Sequence, residues 1–160
     1  HAYSFEDVID TWGCWGDAIP IVEGSPLSYT HDLNQEVNFA AGDLVTQAFL
    51  ELDFTNDTLD SNFIFDNREF VKVGFDGISW QNIGEVDNGQ YQLVLNIDWL
   101  NDDGLLDVTI KVSNPGWNWA TAWLDHSRLY GEANAVPEPT TLMLLGLGLV
   151  CAAGARRFKK

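Results

Sequence analysis

The stretch from Gln90 to Val112, QYQLVLNIDWLNDDGLLDVTIKV, decides how the chain is read. In its first arm Tyr91, Leu93, Leu95, Ile97 and Trp99 alternate with Gln92, Val94, Asn96 and Asp98. In its second arm Leu106, Val108, Ile110 and Val112 alternate with Asp107, Thr109 and Lys111. Successive side chains on a strand point to opposite faces, so a period of two marks two strands with one apolar face each. Asn101-Asp102-Asp103-Gly104 lies between them, and Gly104 can take the positive φ that a tight turn demands. The spacing predicts a hairpin pairing Gln90–Leu100 with Leu105–Val112.

The same pattern extends in both directions. Strands are predicted at Tyr3–Ile9, Ile19–Glu23, Leu27–Leu33, Leu44–Phe54, Phe63–Phe65, Glu69–Phe75, Ile78–Val86 and Ala120–Tyr130, separated by turn residues such as Thr55-Asn56-Asp57. No amphipathic helix and no internal repeat interrupts them. About nine or ten strands, with turns every 8–12 residues or so, predict an all-β fold. The expected form is an antiparallel β-sandwich, jelly-roll-like, over residues 1–133.

Charge is unevenly distributed. All 24 acidic residues lie at or before Glu138, where only Arg68, Lys72, Lys111 and Arg128 oppose them, a formal balance of −20 against −16 for the whole chain. Such a domain repels nucleic acid and anionic headgroups and attracts cations. Cys14 and Cys151 cannot join within one fold, because Cys151 sits in an apolar tail. Cys14 is either a buried small hydrophobe or a thiol available to a partner chain. The chain starts at His1 without Met, as a mature exported protein would after loss of a signal peptide.

The tail, VPEPTTLMLLGLGLVCAAGARRFKK, spans Val136 to Lys160. Residues 134–139 form a linker in which Pro137 and Pro139 stiffen an extended chain. Residues 140–155 carry no charge. As a single transmembrane helix they span about 24 Å, slightly less than a hydrocarbon core of about 30 Å. Arg156, Arg157, Lys159 and Lys160 follow and are expected to stay cytoplasmic by the positive-inside rule.

Pro-Glu-Pro, then a short apolar span, then an Arg-rich end, closely resembles the PEP-CTERM sorting signal handled by exosortase. The resemblance implies that Pro137, Glu138 and Pro139 are the recognition motif, with residues 140–155 as span and Arg156 and Arg157 as basic cluster. It further implies a protein transiently anchored in the inner membrane of a Gram-negative bacterium, then delivered to the cell surface or extracellular matrix as the tail is removed. A sortase signal would need Leu-Pro-x-Thr-Gly, and Val-Pro-Glu-Pro-Thr lacks the glycine.

Catalytic signatures are absent: there is no His-Glu-x-x-His, no Gly-x-Ser-x-Gly elbow and no phosphate loop. Asp125-His126-Ser127 holds triad residue types, yet strand neighbours face opposite ways and cannot converge. His31-Asp32 is read as the polar face of its strand. Asn101, Asp102, Asp103 and Asp107 around Gly104 fit turn chemistry better than a helix-flanked calcium loop, which would put Trp99 and Ile110 at ligand positions.

Phe5-Glu6-Asp7 and Leu124-Asp125 through Leu129 resemble the terminal strands of jelly-roll carbohydrate-binding modules. That resemblance implies structural Ca2+ near Glu6, Asp7 and Asp125. Of seven tryptophans, Trp117 and Trp119 flank Asn118 in an expected loop and are the candidates for stacking on sugars. The expected function is a non-enzymatic surface or matrix protein that associates with exopolysaccharide or with copies of itself. The alternatives are a carbohydrate-binding module with structural calcium and, third, a glycan-active hydrolase.

Overall fold

The computed structural model describes residues 1–10, 18–36, 39–40, 42–55, 69–77, 79–113 and 120–136. The strands among these are β1 (Ala2–Asp10), β2 (Ile19–Val22), β3 (Leu27–Asp32), β4 (Leu44–Phe54), β5 (Phe70–Phe75), β6 (Ser79–Glu85), β7 (Gly89–Val94), β8 (Leu105–Ser113) and β9 (Thr121–Asn134). One short helix, α1 (Asp98–Asp103), and a single 3-10 turn at Leu33–Gln35 accompany them. The five-stranded sheet runs β1-β9-β4-β7, with β2 also paired to β9, and the four-stranded sheet runs β3-β8-β5-β6. Two antiparallel sheets agree with the predicted β-sandwich, and β4 has the bounds expected for it.

Inward residues of both sheets make the core. Leu50, Leu52 and Phe54 of β4 and Leu124 and Leu129 of β9 are buried, as are Val71, Val73 and Phe75 of β5 and Leu106, Val108 and Ile110 of β8. Each such side chain contributes about 1.5–3 kcal/mol of transfer free energy, which outweighs what any one surface contact supplies.

The expected hairpin does not form. β7 pairs with β4, while β8 pairs with β3 and β5, so the two arms belong to different sheets. Between them the chain crosses the sandwich through α1. Asn96 Oδ1 accepts the Asp98 N–H at 3.1 Å and so caps the turn. Asp98 also stands at the positive end of the helix dipole. Gly104 has the expected positive φ, 77°, but uses it to end a helix, its N–H reaching Leu100 O at 2.9 Å. The Asn101 side chain both donates to Val45 O (3.0 Å) and accepts from Val45 N–H (2.7 Å), tying the helix to the start of β4.

The last described residues are held at that same end. Asp43 Oδ1 accepts the Val136 N–H at 3.1 Å, and Oδ2 accepts the Ala40 N–H at 3.0 Å and the Tyr3 hydroxyl at 2.5 Å. Among the described residues no helix is long and apolar enough to cross a membrane. The span expected at 140–155 lies outside the described residues, as do Pro137, Glu138, Pro139, Arg156, Arg157, Lys159 and Lys160.

Candidate functional site

The outer face of the four-stranded sheet brings the two described lysines of an acidic domain close to an exposed ring. Lys72 on β5 sits directly opposite Lys111 on β8, and Asn82 on β6 lies opposite Lys72 on the other side. One rung along, Trp80 pairs with Gly74, which pairs with Thr109. The missing side chain at Gly74 lets the Trp80 ring settle on the sheet, since a Cβ there would stand 2.9 Å from the ring carbons. Trp80 remains 44% exposed, and Lys111 Nζ lies 4.3 Å from its ring centroid.

This arrangement has an electrostatic cost. Like charges opposite each other on adjacent strands destabilise a sheet. A chain with 24 acidic residues nevertheless places its two described lysines face to face. Among the described residues neither is ion-paired. Lys111 over the indole, with Lys72 and Asn82 on the neighbouring rung of the same face, is a local positive patch suited to an anionic group.

A second constellation lies inside. His31 is fully buried and points into the core, not along a polar face as its neighbour Asp32 suggests. Its Nδ1 lies 2.9 Å from Asp7 Oδ2, and its Nε2 lies 2.9 Å from Ser127 Oγ. An ionised Asp7 can only accept, so Nδ1–H donates to it and Nε2 accepts the Ser127 hydroxyl. Burial holds the imidazole below its ordinary pKa, with the Asp7 contact pulling the other way. The residue types and bond order are those of a hydrolytic triad. Ser127, however, is fully buried.

The three residues of Asp125-His126-Ser127 diverge as expected in one respect: Ser127 points inward and is buried while His126 is half-exposed. Glu6, Asp7 and Asp125 are not brought together. Glu6 faces outward onto Arg128 Nε at 2.8 Å, Asp7 faces inward onto His31, and Asp125 lies beside His126 at 3.0 Å, beyond the last β1 rung. Trp117 and Trp119 lie outside the described residues.

Asp102, Asp103 and Asp107 do share a cleft of about 650 Å3 with Asp76, Asp98 and Trp99. Much of its polarity serves local structure. Asp103 Oδ1 accepts the Leu105 N–H, Asp76 Oδ1 the Asp107 N–H, and Asp107 Oδ1 the Thr30 hydroxyl. Trp99 stacks on Phe75 at 5.2 Å.

Residues 135–157 match the family model for the PEP-CTERM protein-sorting motif. The motif therefore begins on the residue after β9 ends. No curated protein matches the chain. Among solved structures, the crystal structure of FLHE aligns over 84% of this chain and 98% of its own at 7% identity, TM-score 0.44. An exo-β-1,3-galactanase from Phanerochaete chrysosporium, solved with galactose, aligns over 81% of this chain at 15% identity, TM-score 0.44. This chain spans only 29% of the galactanase. The class defined by fold and tail is an exported β-sandwich with a sorting signal. The signal implies a C-terminal membrane anchor before processing, and processing by exosortase.

Proposed function

We propose that this chain is a non-enzymatic protein of the cell surface or extracellular matrix of a Gram-negative bacterium, and that its sandwich binds acidic exopolysaccharide. The basic C-terminal end stays cytoplasmic until exosortase removes the tail at Pro137–Pro139. The binding face is the outer surface of the four-stranded sheet. The exposed edge of Trp80 packs against a pyranose ring, Lys111 over the indole and Lys72 opposite it take its carboxylate, and Asn82 hydrogen-bonds a hydroxyl.

The observation that carries this reading is the pairing of Lys72 with Lys111 beside Trp80 in so acidic a domain. A non-enzymatic role is supported by the burial of Ser127, which withholds the only triad-like hydroxyl among the described residues from any substrate.

The test is binding of a uronate-containing polysaccharide, followed by affinity electrophoresis. Retardation that is lost in Trp80→Ala and weakened by salt supports the proposal. Retardation equal for neutral and acidic polymers, or unaffected by Trp80→Ala, overturns it. Release of reducing sugar would overturn the non-enzymatic part.

A further inference from the structure

The opposite outer face, on the five-stranded sheet, carries a different cluster. One rung crosses four strands as Asp10, His126, Asp53 and Gln90. Opposed residues of antiparallel strands point to the same face, so these four side chains share it. The next residue would ordinarily turn away. Here β9 carries a bulge: Asp53 pairs with His126 but Phe54 pairs with Leu124, which leaves Asp125 as the extra residue. The bulge lets two sequence neighbours, Asp125 and His126, converge.

The ligand atoms of Asp53, Asp125 and His126 all lie within 4.8 Å of one another. His126 Nδ1 is 3.0 Å from Asp125 Oδ2, while its Nε2 is 3.9 Å from Asp53 Oδ2. The first is a hydrogen bond; the second is too long to be one. Gln90 Nε2 donates to Asp53 Oδ2 at 3.2 Å and holds that carboxylate in place.

We propose that Asp53, Asp125 and His126 form a site for a divalent transition-metal ion. Asp125 accepts Nδ1–H, fixes the tautomer and orients the ring, the usual outer-shell role of a carboxylate behind a ligating histidine. Nε2 then presents its lone pair toward Asp53. Metal–nitrogen and metal–oxygen bonds of about 2.1 Å each bridge that gap once Asp53 rotates by a few tenths of an ångström. Asp10, across the rung from His126, adds negative charge, and water completes the coordination. An imidazole with carboxylates selects Zn2+ or a neighbouring transition ion over Ca2+ and Mg2+, which prefer all-oxygen cages. The site lies on the sheet opposite Trp80, and it requires no saccharide.

The test titrates Zn2+ into the full chain in detergent, with calorimetry and the imidazole 15N resonances followed together. The expected result is one ion bound, with the His126 nitrogens shifted and those of buried His31 unmoved. Asp53→Asn and His126→Gln each weaken binding tenfold or more, and millimolar Ca2+ does not compete. Shifts confined to His1, binding unchanged in both variants, no binding at millimolar Zn2+, or equal competition by Ca2+ would each overturn the site. Should His126→Gln fail to fold, the wild-type resonances and Asp53→Asn decide. A negative result leaves the saccharide proposal standing, since that face is on the other sheet.

Discussion

His31 of the four-stranded sheet meets Ser127 of the five-stranded sheet at 2.9 Å, and both side chains are closed to solvent. Together with Asp7 they form a polar staple through the core. Removing one partner of such a pair leaves the other desolvated and unsatisfied. Ser127→Ala is therefore expected to lower unfolding free energy by about 1–3 kcal/mol, read from urea titration. A change below about 0.5 kcal/mol, the usual scale of surface substitutions, would show that the staple contributes little.

Acid should weaken the fold in two stages. His31 has its pKa lowered from 6.5 by burial, so the unfolded chain takes up a proton more readily than the folded one. Its contribution is intact above about pH 6.5 and is lost as pH falls below that value. Asp43 is held below its ordinary 3.8 by the Tyr3 hydroxyl first and the Ala40 N–H second. Its contribution is intact above about pH 4 and is lost as pH falls further. Denaturation midpoints measured from pH 8 to pH 3 should decline in both windows. In His31→Gln the first decline should vanish.

Asp43 also ties the first residues of the sorting segment to the fold. Asp43→Ala strips acceptors from Tyr3, Ala40 and Val136 at once. Amide exchange at Ala135 and Val136 should accelerate tenfold or more while exchange in β5 and β8 stays unchanged. Equal exchange at Val136 in both proteins would show that Asp43 does not hold this segment.

Gly74 is the seat of the Trp80 ring. A Gly74→Ala methyl would lie within 3 Å of that ring and lift it from the sheet. Polysaccharide affinity should fall several-fold with little loss of stability, because Trp80 is at the surface. Unchanged affinity would mean the flat ring is not the binding element.

Much of the fold was legible because alternation reports which residues face inward. β4 illustrates this, with Val45, Ala48, Leu50, Leu52 and Phe54 buried. Alternation does not report which sheet a strand joins, so 90–112 reads as a hairpin though its arms part across the sandwich. The staple carried a signal in phase. His31 follows Leu27 and Tyr29 at a spacing of two, Asp7 lies between Phe5 and Ile9, and Ser127 precedes Leu129. Polar residues in the apolar phase of three strands mark a buried network. The Lys72–Lys111 pair and the Asp125 bulge left no such trace, because both depend on register between strands distant in sequence.

The most direct test of export and processing is the intact mass of the protein recovered from outside its native host cell. The expected mass ends near Pro137–Pro139 and lacks Arg156 through Lys160. A chain intact to Lys160, recovered outside the cell, would contradict the account.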